Sequence, residues 1–318
     1  MLIFPLGGFV YRVDFSWVQH LLGALLLCCA TLAAADGAYK PSGSTARDDT
    51  LIFGIHPYTN PQDLFEAYNP IARYLENKLP GTKFQIEASK DYADYEAKLA
   101  ARRFHFAMPN PYETLLSLDH GYRVIAKMTP DDDFRGLIVA RADKKIPAPR
   151  DLAGKPLCFP SPTAVAGTML PMLYLADHGL KIDKEQVRFV GSQFSSILNA
   201  YSGDALACGS TVRFWRLWSR DNPDKAKEMT VLWKTEALPH NGIVVRDDVA
   251  PQLAQQVAST LAGMDKDKDL DPKQFKADQA HFELAANATY KPMLEFLKRY
   301  EQALGLPGQM KARSNTFK

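Results

Sequence analysis

The feature that most constrains this chain is a recurring unit: a short apolar run, a polar or proline-rich cluster, then a helix-spaced segment. Leu51–Ile55 leads into His56-Pro57-Tyr58-Thr59-Asn60-Pro61, and Leu64, Ala67, Tyr68, Ile71, Ala72 and Leu75 then recur at intervals of three and four. Phe84–Ala88 leads into Ser89-Lys90-Asp91-Tyr92 and a helix near Tyr95–Ala101, and Phe104–Met108 leads into Pro109-Asn110-Pro111-Tyr112 and a helix over Thr114–His120. A second cycle has the same layout. Pro156–Phe159 precedes a helix from Thr163, Val187–Val190 precedes a helix from Ser195, and Ala205–Cys208 precedes a segment from Thr211. Strands separated by helices must run parallel, with right-handed crossovers that cover the sheet on both faces. The expected fold is therefore α/β and two-lobed, each lobe a mostly parallel sheet flanked by helices.

Two further segments resemble each other and tell where the chain changes lobe. Val124–Pro130, an acidic gap and Gly136–Arg141 parallel Val231–Thr235, a gap holding Pro239, and Gly242–Arg246. The economical reading is a chain that leaves the first lobe near 130–135 and returns near 238–241. Residues 40–134 and 239–318 then form lobe 1, and 135–238 form lobe 2. Pro251–Met264 and Phe275–Leu304 are helical in pattern and would brace lobe 1.

Ahead of these elements, Leu21–Ala30 is apolar, followed by Thr31-Leu32-Ala33-Ala34-Ala35. An apolar stretch of this length is too short to span a bilayer and is followed by a small-residue cleavage site, so residues 1–35 read as a signal peptide and the destination as the periplasm. Removal of that leader takes Cys28 and Cys29 with it. Cys158 and Cys208 remain, compatible with one disulfide in an oxidising compartment or with two buried thiols behaving as small hydrophobes.

Lysine and arginine (38) nearly balance aspartate and glutamate (36), and no basic run occurs, so the electrostatic footprint of a nucleic-acid binder is missing. Catalytic signatures are also missing. The histidines beyond the leader form no H-x-x-x-H pair, and there is no G-x-S-x-G, P-loop or G-x-G-x-x-G. Asp265–Asp271 superficially resembles a calcium loop, but Leu270 and Lys276 stand where glycine and glutamate are needed. The expectation is a protein that is not an enzyme, with no cofactor and no metal.

In open α/β sheets, ligands bind beyond the carboxyl ends of the strands. The residues just past each strand are therefore the candidate ligand set: His56, Tyr58, Tyr92, Asn110, Tyr112, Ser161, Thr163, Ser192, Gln193, Ser210 and Thr211, with His240 near the return crossing. Arg213 also falls at such a position, although Arg213–Trp218 reads equally as an amphipathic packing segment. Each tyrosine is open to a packing role, each histidine to a structural hydrogen bond, and Asp91 to capping the helix that follows. Ser161 or Thr163 is positioned to cap a helix, leaving free N–H groups for an anion, and Pro171 predicts a short first segment or a kink. The set is rich in hydroxyls and amides and poor in carboxylates, which favours a small polar or anionic ligand.

Gly54–Tyr58, Asp91–Tyr95, Asn110-Pro111-Tyr112, Asp151–Lys155, Phe159–Pro162 and Val190-Gly191-Ser192, in this order, resemble the phosphate/phosphite/phosphonate-binding proteins of ABC importers, a branch of the type II periplasmic binding proteins. The resemblance runs from about residue 50 to 300. It implies a monomer that closes on a small solute and delivers it to a membrane permease, or, in a divergent branch, reports to a membrane histidine kinase. The chain departs from the family at the anion loop, where Ala164-Val165-Ala166-Gly167 stands in place of a Ser-Thr-Ser-Gly run. Gly209-Ser210-Thr211 likewise offers no acidic residue to a ligand amine, so an aminoalkylphosphonate fits poorly.

Overall fold

The computed structural model describes residues 50–268, 270, 275 and 281–306. The expected signal peptide and the outer ends of lobe 1 lie outside the described residues. In the first cycle, β1 (Leu51–Ile55), α1 (Pro61–Lys78), β2 (Phe84–Ala88), α2 (Tyr92–Ala100), β3 (Phe106–Met108) and α3 (Pro111–Leu118) follow one another as the alternation requires. Each helix starts on a polar residue whose side chain accepts an otherwise unsatisfied backbone N–H. Asn60 accepts from Asp63 N at 2.9 Å, Asp91 from Asp94 N at 2.8 Å and Asn110 from Glu113 N at 3.0 Å. The buried face of α1 is the one its spacing predicts, Leu64, Ala67, Tyr68, Ile71, Ala72 and Leu75. Fully burying Leu64, Ile71 and Leu75 stabilises the fold by about 1.5–3 kcal/mol apiece.

From β4 (Tyr122–Met128) the chain crosses through residues 129–134 to β5 (Arg135–Arg141), which lies in a different sheet. The second cycle then supplies β6 (Leu157–Phe159), α4 (Leu170–Asp177), β7 (Val187–Phe189), α5 (Gln193–Ser202), β8 (Ala207–Thr211), α6 (Val212–Asp221) and α7 (Pro223–Lys227). After β9 (Met229–Ala237), residues 238–241 return the chain to β10 (Gly242–Arg246) in the first sheet. α8 (Pro251–Ala262), β11 (Phe282–Leu284) and α9 (Lys291–Leu304) complete the described residues. The sheet orders are β11-β4-β10-β3-β1-β2 and β7-β6-β8-β5-β9.

Both sheets are mixed, which refines the expectation of mostly parallel sheets. β1 pairs in parallel with β2 and β3, and β6 with β7 and β8, whereas β4, β5, β9, β10 and β11 join antiparallel. The reversed strands are β5, β10 and β11; β5 and β10 are the ones reached by the inter-sheet crossings, which need no helical crossover and leave the strand free to enter in the opposite sense. β11 is a second difference. Phe282–Leu284 lies inside a segment whose pattern reads as helix, but pairing with Met128, Lys127 and Ala126 at the sheet edge extends it as strand.

The expected irregularity around Pro171 takes a definite form. Val165–Met169 is a π-helical turn, and regular α4 begins only at Leu170, so Pro171 sits in the first turn of the α-helix, directly after the widened turn. Neither Ser161 nor Thr163 caps this helix. The residue at the cap is Ala164, and no side chain accepts there.

Cys158 and Cys208 are joined in a disulfide between neighbouring parallel strands β6 and β8, closing a chain separation of 50 residues. One residue on, Gly209 is needed for close approach: a Cβ there would strike the carbonyl oxygen of Gly167 and the Phe159 ring. Because one obstacle is backbone, relief requires movement of the 164–169 turn. Gly209→Ala is expected to cost about 1–3 kcal/mol of unfolding free energy, read from the midpoint shift in urea denaturation.

Candidate functional site

The carboxyl ends of the parallel strands of both sheets converge with the two crossings on a cavity of about 40 Å³. One water needs roughly 10–15 Å³ by this measure, so the cavity holds about three waters or one small tetrahedral ion. The first sheet contributes His56 and Tyr58 after β1, Tyr92 at the start of α2 and Asn110 after β3. The second contributes Ala164, Val165 and Ala166 after β6, Gln193 at the start of α5, and Thr211, Arg213 and Phe214 at the β8–α6 junction. Asp133 and Phe134 come from the outgoing crossing, His240 and Asn241 from the return.

Arg213 is the cation of this site and is 6% exposed. Its guanidinium carbon lies 5.7 Å from the Tyr58 ring centroid and 5.8 Å from that of Phe214, within cation–π range. Tyr58 and Phe214 themselves sit 5.0 Å apart and link the apolar cores of the two sheets. The Tyr58 hydroxyl is placed by Tyr68, with 3.2 Å between the oxygens, and burial raises its pKa well above the ordinary value. Tyr92 is likewise raised by burial, so both phenols stay protonated, the Tyr58 proton being donated to the Tyr68 oxygen.

The imidazoles are held neutral. His56 is lowered to about 3, first by burial and then by the charge of Arg213. Its Nδ1 lies 3.6 Å from Glu113 Oε2, too far for a good hydrogen bond. Burial pushes the Glu113 carboxyl well above its usual range, so this contact is between groups that both favour their neutral forms, and it does not charge the histidine. His240 is also driven well below its ordinary value, by burial, then Arg213, Lys127 and His56. Its Nδ1 accepts from Asn241 N at 2.7 Å, which leaves Nε2 to carry the proton of the neutral ring.

Around these groups the wall is almost free of negative charge. Asp133 is bound to Arg216 at 2.8 Å. The buried Oδ1 of Asn241 has no hydrogen-bond partner. The charge, the donors and the size of the cavity all suit a small anion.

The other sequence-derived candidates are placed elsewhere. Tyr112 is buried in the first turn of α3 within the apolar cluster of Leu115, Tyr122 and Phe134. Ser161 sits in the turn after β6, its carbonyl accepting from Ala164 N at 3.1 Å. Thr163 donates to Glu96 Oε1 at 2.6 Å. Ser192 caps α5, accepting from Ser195 N at 3.1 Å, and Ser210 is fully buried beside Gln193 Oε1 at 3.5 Å. Sequence reasoning under-weighted Arg213, Phe134, Phe214, Asn241 and Asp133. For Arg213 the available signal was its place two residues past a strand end; the others lie where only the meeting of the sheets makes a wall.

The fold is that of a two-lobed binding protein of the type II periplasmic class, with the cavity at the strand ends of both sheets. Residues 53–290 match the family of ABC transporter, phosphonate, periplasmic substrate-binding proteins, and the chain belongs to that family. It is therefore a substrate-binding transport component and not an enzyme. It is 25% identical over 270 residues to the phosphate-import protein PhnD of Mycolicibacterium smegmatis, covering 77% of this chain and 82% of that one. Among solved structures, it is similar to PhnD1 of Prochlorococcus marinus in complex with methylphosphonate, with a TM-score of 0.72, 17% identity and coverage of 80% and 99% of the two chains. It is also similar to a binding protein component of an ABC phosphonate transporter from Pseudomonas aeruginosa, with a TM-score of 0.70, 15% identity and coverage of 82% and 91%. Among the described residues, no helix is long and apolar enough to cross a membrane.

The neutral imidazoles fix a pH dependence. In the unfolded chain His56 and His240 take up protons below the ordinary imidazole value of 6.5, while the folded pocket resists doing so. The unfolded state then binds more protons, so these two groups make stability fall as pH falls below 6.5, by about 1.4 kcal/mol per pH unit for each imidazole. The raised carboxyls Glu96 and Glu113 act in the opposite sense, so the histidine contribution is isolated by substitution. His56→Gln is expected to flatten the acid slope of unfolding free energy between pH 6.5 and 4.5 by about 1.4 kcal/mol per unit, measured by urea titration at each pH.

Proposed function

We propose that this chain captures a small phosphonate-type oxyanion between its lobes and presents it to an ABC permease. The observation that carries the reading is Arg213, a cation buried in a cavity of about 40 Å³ at the strand ends of both sheets. His56, Tyr58, Tyr92, Asn110, Gln193, Thr211 and His240 are the neutral groups that would share the ligand with it. The N–H groups at the head of the 164–169 turn add donors without hydroxyls, since Ala164, Val165 and Ala166 bear none. Among the described residues the one carboxylate in the lining, Asp133, is paired with Arg216, so the preferred guests are oxyanions with a small, uncharged substituent.

In this reading residues 1–35 are an export signal, residues 40–134 and 239–318 form one lobe, and residues 135–238 form the other. The crossings at 129–134 and 238–241 act as hinges. Because Phe134 and His240 belong to both hinge and cavity wall, a ligand that fits them favours the closed arrangement by its difference in affinity for the two states. The protein acts as a monomer. Its family and its curated relative are import components, which supports a permease over a sensor kinase as the partner.

Isothermal titration with methylphosphonate, phosphite, phosphate, sulfate and 2-aminoethylphosphonate tests the proposal. Binding of methylphosphonate or phosphite ahead of the amine-bearing compound is expected, and Arg213→Gln should weaken it by about 1.5–3 kcal/mol, the range for a hydrogen bond to a charged group. Preference for the aminophosphonate, or indifference to loss of Arg213, would overturn the site.

A further inference from the structure

Thr163 is gripped from the opposite lobe at two points. Its hydroxyl donates to Glu96 Oε1 at 2.6 Å, and its carbonyl accepts from Asn110 Nδ2 at 3.1 Å. Glu96 is on α2 and Asn110 caps α3, both packed with the first sheet, whereas Thr163 follows β6 of the second. Asn110 has little freedom to do otherwise. Its Oδ1 accepts from Glu113 N at 3.0 Å, while its own N–H donates to Glu113 Oε2 at 2.9 Å. The capping box of α3 thus aims the amide at Thr163.

Thr163 is also the residue before the cavity wall. Ala164, Val165 and Ala166 line the cavity, and the Ala164 carbonyl accepts from Thr168 N at 2.8 Å and Met169 N at 3.1 Å, which fixes the π-helical turn. Neither Glu96 nor Thr163 lines the cavity itself. Glu96 as a residue is 8% exposed; burial raises the pKa of its carboxyl, and the Thr163 hydroxyl works against that rise. An O–H to carboxyl bond of 2.6 Å is in the short, charge-assisted range.

We infer that Glu96 and Thr163 are positioning residues that clasp the Ala164–Ala166 wall against the opposite lobe, and that breaking this clasp is what opens the cleft. The inference rests on the interlobe site proposed above. It assigns Thr163 a role other than ligand contact, and it makes the rate of release depend on residues outside the cavity.

Hydrogen exchange followed by mass spectrometry on the ligand-free mature chain tests the clasp without any ligand. Thr163→Val is expected to speed exchange of the 164–170 amides about tenfold and leave residues 122–128 unchanged. Thr163→Ser, which keeps the hydroxyl, should match the parent, and Glu96→Gln, which keeps an acceptor but not the charge, should fall between. Equal exchange in Thr163→Val and the parent, or failure of serine to restore protection, overturns the clasp. With methylphosphonate as the probe, stopped-flow release should quicken about tenfold in Thr163→Val while association changes less than twofold. A parent protein that does not bind methylphosphonate counts against the ligand reading alone, because the exchange measurement stands without it.

Discussion

Burying one guanidinium where two sheets meet is the constraint around which the rest of the site is organised. Removing such a charge from water is costly unless its surroundings compensate. Here the Tyr58 and Phe214 rings lie within cation–π range of Arg213, and both neighbouring imidazoles are held neutral by burial and by that same charge. An imidazolium beside Arg213 would repel it, and a free carboxylate would neutralise it. Among the described residues the one carboxylate of the wall is Asp133, which is paired with Arg216, and the nearby Glu113 carboxyl is pushed toward its neutral form. A cavity built this way is receptive to negative charge.

The two crossings and the cavity share residues. Asp131, in the outgoing crossing, accepts from His240 N at 2.9 Å and from Lys127 Nζ at 2.6 Å, and Tyr290 donates to the His240 carbonyl at 2.6 Å. The His240 ring packs 5.1 Å from Phe134. Both crossings are therefore fixed to the first sheet by hydrogen bonds while their side chains face the cavity. Any change in the geometry of either crossing would therefore alter the wall.

The polar residue that follows each strand has two possible employments, and this is where sequence reading reached its limit. Asn110 and Thr211 cap helices and line the cavity at once, Ser192 caps without lining it, and Thr163 does neither, reaching across to Glu96 instead. A cap and a ligand contact place the same residue types at the same positions, because both exploit unsatisfied N–H groups at a helix start. Nothing local separates them. Tyr112 shows the same limit for aromatic residues, lying two residues from Asn110 yet packed in the apolar core.

The order of strands and helices, the two crossings, the buried face of α1 and the polar rim after each strand were written in the sequence, because they follow from local periodicity and from the cost of leaving helix ends unsatisfied. The tertiary structure alone decided which sheet edge accepted Phe282–Leu284 as a strand, which rim side chains meet in one cavity, and that Arg213 is the charge within it. Those outcomes depend on distances between segments far apart in the chain, and a linear pattern carries no information about how far two distant strand ends lie from each other in space.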